Sequence, residues 1–138
     1  MIVHATAIVF SNRAAMIIGP AGSGKSSLAL DLMSRGAQLI SDDRVELRVD
    51  DGCLWACAPE QIAGMIEARG IGILAADFVA QAKLNLVVDL SEVETTRLPE
   101  KHSKEFLGHI VPCVHKSETT AFPAAILQYL KVGLACEQ

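Results

Sequence analysis

The sequence lacks any cluster of lysine and arginine residues. Its 12 basic side chains are outnumbered by 16 acidic ones, which gives a formal net charge of −4. Binding along a nucleic-acid backbone needs several clustered cations, because positive groups make the phosphate contacts. The composition therefore excludes an extended nucleic-acid groove and predicts no nucleic-acid partner, and any contact with a polyanion is expected to be focal.

The chain also lacks a long apolar run and a basic start. No stretch approaches the roughly 20 apolar residues that cross a bilayer. The first residues, Met-Ile-Val-His, carry none of the positive charge that is typical of a signal peptide. These absences predict a cytoplasmic protein with no membrane partner.

Cysteine pairing motifs are absent as well. The chain has four cysteines and no Cys-x-x-Cys pair, the spacing that usually marks a zinc or redox site. In a small cytosolic protein such cysteines are expected to be reduced and mostly buried, as small hydrophobic side chains. The place to look for zinc is Cys113 with His109 and His115. The cysteines are Cys53, Cys57, Cys113 and Cys136.

No internal repeat and no low-complexity tract divides the chain. With 138 residues, of which 51% are hydrophobic, it can bury a core without the help of a metal or a disulfide. We therefore predict one domain over residues 1–138.

The most informative motif that is present is a phosphate-binding loop. Residues 19–26 read Gly-Pro-Ala-Gly-Ser-Gly-Lys-Ser, a complete G-x-x-x-x-G-K-[ST] pattern. Glycines let the backbone turn so that successive N–H groups point at phosphate oxygens, Lys25 adds a positive charge, and Ser26 offers a hydroxyl to Mg²⁺. The motif predicts that the chain binds a nucleoside triphosphate.

The residues around this loop predict a strand before it and a helix after it. Residues 2–10 are apolar and β-branched, and residues 11–13 break that run, so a hairpin is expected to lead into a strand over Ala14–Ile18. From Lys25 onward, apolar side chains recur at helical spacing until Gly36, a typical helix terminator. The N-terminus of this helix would face the phosphates.

The rest of the chain alternates between apolar and polar segments. Residues 91–108 are polar and contain a proline, and we predict that they form a mobile surface segment. A closing helix is expected over Ala124–Lys131, with Gly133 as its terminator. Together these patterns predict an α/β fold in which helices flank a mixed sheet. The other predicted strands cover residues 38–41, 45–49, 53–58, 84–90 and 110–115, and a short helical turn covers residues 59–65.

Phosphoryl transfer also needs Mg²⁺ ligands and a base. The available carboxylates are those of Asp42, Asp43 and Glu67. Adjacent aspartates on an extended backbone point to opposite faces, so one of the pair can face the metal or the phosphates while the other faces elsewhere. A strand that follows the loop's helix and ends in aspartate is the expected source of an acid at the metal. We predict Asp43 as the general base, buried beside Asp42.

Each of these candidates has a structural alternative. The segment Asp42-Asp43-Arg44 also fits a solvated turn with a local ion pair, and Glu67 with Arg69 fits an exposed ion pair. A single histidine such as His4 on a strand is more often structural than catalytic. The phosphate-binding loop favours the functional interpretation of the aspartates.

Taken together, the motifs resemble the catalytic domain of HPr kinase/phosphorylase. The resemblance depends on His4, residues 19–26, the Ser-Asp-Asp-Arg-Val of residues 41–45, and the Ile-Glu-Ala-Arg-Gly-Ile-Gly-Ile of residues 66–73. It covers about residues 2–90. It implies a fold similar to phosphoenolpyruvate carboxykinase, and a kinase and phosphorylase that acts on a serine of HPr, the phosphocarrier protein of the bacterial phosphotransferase system.

The resemblance also implies roles for individual residues. Asp43 would be the base, and it would act as the acid when inorganic phosphate attacks the phosphoserine. His4 would lie near the phosphates, and residues 66–75, including Arg69, would shape the site where the HPr serine meets the γ-phosphate. Mg²⁺ would be held by Ser26 and Glu67, with Asp42 as a further candidate ligand. The predicted nucleotide-contacting residues are Gly19, Pro20, Ala21, Gly22, Ser23, Gly24, Lys25, Ser26 and Ser27.

The sequence departs from the family pattern at three places. Where the family commonly has a Pro-x-Arg-Pro-Gly-Arg-type segment, residues 111–117 read Val-Pro-Cys-Val-His-Lys-Ser, so His115 or Lys116 would have to replace the catalytic arginine. Ser27 stands where the family usually has glutamate. The chain also begins at the catalytic domain, which predicts the short form of the family without an N-terminal regulatory domain.

We therefore predict an ATP- and Mg²⁺-dependent serine kinase for an HPr-like protein. Reversal, with inorganic phosphate or pyrophosphate as co-reactant, stays open. Oligomers, most often hexamers, are typical of the family, which predicts a homo-oligomer. Two alternatives stay open at this point. One is a small-molecule kinase with the same loop, and the other is a non-catalytic ATP-binding sensor module.

Overall fold

The computed structural model describes residues 1–135, and Cys136 lies outside them. Eleven strands and two α-helices are formed within this range, together with a 3-10 turn over Glu60–Ile62. The helices are α1 (Lys25–Ser34) and α2 (Phe122–Val132). The strands are β1 (Ile2–Val3), β2 (Ala5–Phe10), β3 (Arg13–Ile18), β4 (Gln38–Ser41), β5 (Val45–Asp50), β6 (Cys53–Cys57), β7 (Met65–Ala68), β8 (Gly72–Ala75), β9 (Gln81–Val93), β10 (His102–Phe106) and β11 (His109–Lys116).

A nine-stranded mixed sheet forms the body of the domain. Its main path runs β1-β5-β6-β9-β3-β2-β4, and β11 and β10 extend it beside β9. The strand β9 is parallel to both β3 and β11, whereas β2 is antiparallel to its neighbours β3 and β4. Because β3, β9 and β11 run in the same direction, their carboxyl ends meet at one edge of the sheet. The predicted mixed α/β sheet with flanking helices is therefore confirmed.

Side-chain alternation along the strands creates two cores on the two faces of the sheet. On β2, Ala7 and Val9 belong to one buried cluster, whereas Ile8 belongs to the other. The cluster of Ile8 is covered by the helices, through Leu32 of α1 and Ile126 of α2 among others. The opposite cluster is built from the strands alone, where the sheet curls on itself.

The helices begin and end for reasons that are visible in the sequence. Gly24 is the N-cap of α1 in a left-handed conformation, and Gly36, at φ 112°, follows its end. Pro123 occupies the first turn of α2, and Gly133 caps the carboxyl end at φ 74°. Both predicted helices and both glycine terminators are confirmed. Neither helix in residues 1–135 has the length and apolar character that a bilayer crossing requires.

The segment predicted to be mobile is structured at both ends. Residues 91–93 continue β9, and His102–Phe106 forms β10, which pairs antiparallel with β11. The prediction was wrong here because β10 reads His-Ser-Lys-Glu-Phe, without the apolar alternation that signals a strand. Such a polar composition is characteristic of an edge strand, which must avoid pairing with other chains.

The amino-terminal strand differs from its prediction at His4. Ile2–Val3 pairs with β5, whereas Ala5–Phe10 pairs with β3 and β4, so the run predicted as one strand is divided. His4 occupies the bend between the two pieces and is exposed. It is therefore not a structural histidine inside a strand.

Cysteine burial follows the expectation for the described residues. Cys57 and Cys113 are buried and Cys53 is partly buried, and all three are free thiols. Burial raises the pKa of the Cys57 and Cys113 thiols, so both stay neutral at physiological pH.

Candidate functional site

The glycine-rich loop, residues 19–26, connects the end of β3 to the first turn of α1. Gly19, Gly22 and Gly24 all have positive φ, at 151°, 81° and 97°. A side chain at Gly19 would have its Cβ 2.7 Å from Oγ of Ser23, so only glycine fits there. The first turn of α1 has neither a side-chain cap nor an acidic residue. Its backbone N–H groups and the positive end of the helix dipole are therefore available to an anion.

Lys25 lies folded against the loop. Its Nζ donates hydrogen bonds to the carbonyl oxygens of Gly19 at 2.7 Å and Pro20 at 3.2 Å. The loop is closed by a turn in which the N–H of Ser23 donates to the carbonyl of Pro20 at 3.1 Å. The ammonium group thus lies beside the loop, at a position from which it can turn to a bound anion.

Asp42 is the centre of a buried hydrogen-bond network. It follows β4 directly and is 9% exposed. Its Oδ1 accepts hydrogen bonds from Oγ of Ser26 at 2.7 Å and Oγ1 of Thr6 at 2.8 Å. Its Oδ2 accepts the backbone N–H of Glu67 at 2.9 Å. One carboxylate therefore ties together β2, the first turn of α1 and β7.

Asp43 differs sharply from its neighbour. Its backbone is left-handed at φ 73°, and its side chain is 63% exposed. Oδ1 of Asp43 lies 3.4 Å from Nδ1 of His4, whose side chain is 72% exposed. The predicted burial of Asp43 is therefore wrong. The two aspartates lie in a bend and not on an extended backbone, and both line the same cleft.

The third side of the cleft is the two-stranded hairpin of β7 and β8. Glu67 pairs with Ile73 across this hairpin. Alternation on β7 buries Ile66 and Ala68 and leaves Met65 and Glu67 exposed. Ile66 belongs to the helix-side core, and this contact fixes the hairpin against α1.

An open cleft of about 600 Å³ lies between the loop, the Asp42–Asp43 turn and the hairpin. It brings together most of the site residues that the sequence predicts, from parts of the chain as distant as His4 and Arg69. Gly19, Pro20 and Ser23 of the predicted set do not line it. The predicted residues that line the cleft are His4, Ala21, Gly22, Gly24, Lys25, Ser26, Ser27, Asp42, Asp43, Glu67 and Arg69.

Sequence reasoning missed three residues of this cleft: Thr6, Ile62 and Met65. Thr6 is fully buried inside an apolar strand. A single polar side chain in such a strand indicates that another part of the fold supplies its hydrogen-bond partner. The pattern offered no comparable signal for Ile62 or Met65, which reach the cleft through the 3-10 turn and the hairpin.

The residues considered as substitutes for the family arginine lie elsewhere. Neither His115 nor Lys116 lines the cleft. The His115 ring instead stacks on His102 at 3.9 Å between ring centroids. Among the described residues, the cleft is lined by one lysine, Lys25, and one arginine, Arg69.

A larger cavity of about 760 Å³ lies at the other end of the sheet. It is lined by the turn of Ser11 and Asn12 and by Trp55 and Lys83, among others. None of the predicted site residues contributes to it. The smaller cleft, in which the charged and hydrogen-bonding groups converge, is therefore the candidate site.

The fold and the cleft are those of a phosphate-binding α/β domain. A glycine-rich loop between a strand and a helix faces carboxylates from a neighbouring strand end and from a hairpin. The oxygen atoms of Ser26, Asp42 and Glu67 are hard ligands of the kind that Mg²⁺ prefers. Such an arrangement is suited to holding a phosphorylated ligand with a divalent cation.

Comparison with known proteins identifies the family. The family described as HPr Serine kinase C-terminal domain matches residues 1–115. The chain belongs to this family. The predicted resemblance is confirmed.

Individual relatives agree with this assignment. The HPr kinase/phosphorylase of Clostridium botulinum (strain Eklund 17B / Type B) is 38% identical over 91 residues, which are 66% of this chain and 29% of the relative. That of Streptococcus thermophilus (strain LMD-9) is 36% identical over 93 residues, 67% of this chain and 29% of the relative. The solved Hpr(Ser) kinase/phosphatase from Coxiella burnetii matches with a TM-score of 0.78 at 25% identity, covering 95% of this chain and 88% of that one.

The chain thus spans about three tenths of the length of these curated relatives. It covers nearly the whole chain of the solved structure.

Proposed function

We propose that this chain is an ATP- and Mg²⁺-dependent serine kinase domain acting on an HPr-like phosphocarrier protein. The observation that supports it most directly is the pairing of two different carboxylates at one cleft. Asp42 is buried and bonded to Ser26 of the glycine-rich loop, whereas Asp43 is exposed beside His4. The first suits a metal and phosphate site and the second suits an incoming substrate. The fold would be of the P-loop type related to phosphoenolpyruvate carboxykinase.

The triphosphate would bind the backbone N–H groups of residues 19–26 at the start of α1. Lys25 would exchange its bonds to two loop carbonyls for the phosphate oxygens, because a charge-assisted bond to an anion is stronger than a bond to a carbonyl. Lys25→Ala is therefore expected to lose both nucleotide binding and transfer.

The donor set of Ser26, Asp42 and Glu67 fits Mg²⁺, since all three offer oxygen and Asp42 is held in place by its hydrogen bonds. When bound, the ion would neutralise charge on the β- and γ-phosphates. The protein's own contribution is to hold these oxygens rigidly: Thr6 and the Glu67 N–H fix the Asp42 carboxylate, which in turn fixes Ser26.

Asp43 would accept the proton of the substrate serine. The serine oxygen then forms a bond to the γ-phosphorus, the bond from that phosphorus to the oxygen bridging to the β-phosphate breaks, and ADP leaves. The exposure of Asp43 permits this, because a hydroxyl carried by another protein has to reach the base from solvent. His4, 3.4 Å from Oδ1, would orient the carboxylate. Arg69 would contribute positive charge on the hairpin side.

Reversal would use the same groups. Asp43 would return its proton to the serine oxygen as inorganic phosphate attacks the phosphoserine, giving pyrophosphate. This phosphorolysis is the reverse of a transfer from pyrophosphate, so it requires inorganic phosphate to occupy the place that the leaving diphosphate group takes in the forward step. Since neither His115 nor Lys116 lines the cleft, neither supplies the bidentate clamp that an arginine in that segment would give, and we propose kinase activity as the main direction.

A single assay tests the proposal. The purified chain is incubated with γ-labelled ATP, Mg²⁺ and HPr, and in parallel with an HPr variant whose target serine is replaced by alanine. We expect label on HPr and none on the variant. Turnover of ATP that does not depend on HPr would favour the small-molecule kinase, and nucleotide binding without any turnover would favour the sensor module.

Three further expectations remain predictions. They are a homo-oligomer, of which a hexamer is the expected form, one catalytic domain over residues 1–138, and a cytoplasmic location. Light scattering of the purified protein tests the first, limited proteolysis the second, and a localisation experiment the third.

A further inference from the structure

A second group of charged side chains lies at the carboxyl ends of β9 and β11, outside the cleft. In the register of these strands, Val87 pairs with Cys113, and two positions further Asp89 pairs with His115. His102 of β10 pairs with Cys113 on the other side. One face of the sheet therefore changes from apolar at Val87 and Cys113 to polar at its edge. Leu90 belongs to the helix-side core, so by alternation Asp89 points to the opposite face.

Three side chains converge at this edge. Nε2 of His102 lies 3.1 Å from Oε1 of Glu94. The rings of His102 and His115 are stacked, with centroids 3.9 Å apart and planes within 9°. One ligand atom from each of Glu94, His102 and His115 lies within 4.8 Å of the other two. All three side chains are partly buried.

From this cluster we infer a metal site: Glu94, His102 and His115 bind a divalent transition-metal ion of the Zn²⁺ type, with a fourth position left to water. Two imidazoles and a carboxylate form a donor set that suits Zn²⁺ better than Mg²⁺, which prefers oxygen ligands. Tetrahedral ligands about 2.1 Å from zinc lie about 3.4 Å apart. The Glu94–His102 pair, at 3.1 Å, is close to that spacing. The stacked rings cannot both point a ring nitrogen at one ion, so the His115 ring has to turn on binding.

The backbone supports the three ligands. His102 is the first residue of β10, and His115 is the next-to-last residue of β11. Glu94 follows β9 directly, and its N–H donates to the carbonyl of Lys116 at 2.8 Å. Two ligands are therefore on strands and the third is fixed to one, which is the kind of rigid support that a metal site requires.

A neighbouring set, Asp89 with Cys113 and His115, is equally compact but less suitable. Oδ1 of Asp89 already accepts two hydrogen bonds from Ser91, and Oδ2 lies 3.5 Å from Nζ of Lys104. A cation at that position would face the lysine charge. The site therefore consists of Glu94, His102 and His115. The sequence pointed to Cys113, His109 and His115 as the place to look for zinc, and this set is corrected because His109 belongs to neither cluster.

The metal would fasten the segment between β9 and β10. Glu94 and His102 bracket residues 95–101, which form no helix or strand. Asp89, five residues before Glu94, pairs with Ile18, which directly precedes the glycine-rich loop. The site thus stabilises the strand next to the loop without contributing a residue to the cleft.

The test is a metal titration of the tag-free, metal-stripped chain with Mg²⁺ present throughout. Zn²⁺ binding is followed by calorimetry, and Co²⁺ binding by its visible absorption, which reports ligand type independently of any activity. We expect one ion per chain. His102→Asn and His115→Asn are each expected to weaken binding at least 100-fold, and Glu94→Gln at least tenfold.

His109→Asn is the matched control, because it lies on β11 but outside the cluster, and binding there should stay within twofold. Circular dichroism of the metal-free variants checks folding. If a histidine variant is unfolded, the test depends on Glu94→Gln, which keeps the size of the side chain. The inference is overturned if the chain binds no ion, if Glu94→Gln binds as the parent does, if Cys113→Ser or His4→Asn removes the ion, or if His109→Asn weakens binding as much as His115→Asn.

Discussion

Two buried aspartates flank the glycine-rich loop, Asp42 inside the cleft and Asp89 outside it. Asp42 follows β4 and is 9% exposed, and Asp89 lies in β9 and is 4% exposed. Asp42 takes its hydrogen bonds from Thr6, Ser26 and Glu67, residues far away in the sequence. Asp89 takes two from Ser91, its near neighbour in the chain.

The difference shows that burial alone does not indicate a functional carboxylate. Asp89 accepts its hydrogen bonds from Ser91 in a local turn and lies beside the charge of Lys104, so it interacts with residues close to it on the same part of the sheet. Asp42 joins three elements around an open cleft, and one of its partners belongs to the loop. A carboxylate that organises distant elements around a cavity is the stronger candidate for function.

The largest expected effect concerns Asp43, the exposed neighbour of Asp42. Asp43→Asn removes the base but keeps the shape, so transfer to HPr should fall about 100- to 10,000-fold. Nucleotide affinity should stay within about twofold, because no phosphate contact is assigned to Asp43. Single-turnover kinetics and equilibrium binding measure the two quantities.

A matched control for that variant is Asp51→Asn. Asp51 is also exposed and left-handed, at φ 52°, but it lies in the turn between β5 and β6. Its replacement should leave transfer unchanged. Equal losses in the two variants would remove the reason to call Asp43 a base.

The direct comparison replaces each buried aspartate by asparagine. Asp42→Asn should cost about 3 kcal/mol of unfolding free energy, because three hydrogen bonds lose their charged acceptor and the hydroxyls of Thr6 and Ser26 have to turn to accept from the amide nitrogen. Asp89→Asn should cost about 1.5 kcal/mol, since Ser91 can still donate to the amide oxygen. Only Asp42→Asn should also abolish Mg²⁺-dependent nucleotide binding. Urea unfolding measures the loss of stability, and calorimetry measures nucleotide binding. Loss of nucleotide binding in both variants would contradict a functional difference between the two aspartates.

The stability contribution of Asp89 should depend on pH. Burial raises the pKa of Asp89, but the hydrogen bonds from Ser91 and the charge of Lys104 outweigh this and hold the pKa below its usual value. A lowered folded-state pKa means that the stabilisation is present above the unfolded value of about 3.9 and is lost as the pH falls through the folded value. The stability difference between the parent and Asp89→Asn should be constant above about pH 5. It should shrink below about pH 4, and a difference that grows on acidification would contradict this account.

A smaller effect is expected at Thr6. Thr6→Val removes one donor to Asp42 while keeping the volume, and should cost about 1–2 kcal/mol. Thr6→Ser keeps the hydroxyl and should recover part of that loss. If both variants lose the same stability, the hydrogen bond to Asp42 is not what Thr6 contributes.

The smallest effect is expected at Ser23. Its Oγ is buried without a hydrogen-bond partner among the described residues. Ser23→Ala therefore removes no bond, and the unfolding free energy should change by less than about 0.5 kcal/mol. Thermal unfolding without nucleotide measures it, and a large destabilisation would show that Ser23 has a structural role.

The sequence indicated much of this fold because local signals were strong. The hairpin of β2 and β3, the helix after the glycine-rich loop and the glycines that end both helices follow from periodicity and cap chemistry. The strand β10 was missed because its residues are polar, and the bend at His4 was missed because the apolar run around it is continuous. At His4 the structure is decided by the pairing of β1 with the distant strand β5. β10, by contrast, is held by a hairpin with β11, its neighbour in the chain.

The loop, its helix and the residue types in the cleft follow from the amino-acid sequence. Motif chemistry is local, since backbone turns and charges within eight residues are enough to define an anion site. Three other features depend on the folded chain: the hydrogen bond between Thr6 and Asp42, the exposure of Asp43, and the place of His115 in an edge cluster with His102. These facts depend on strand pairing and register, which distant residues fix together and which no local pattern encodes.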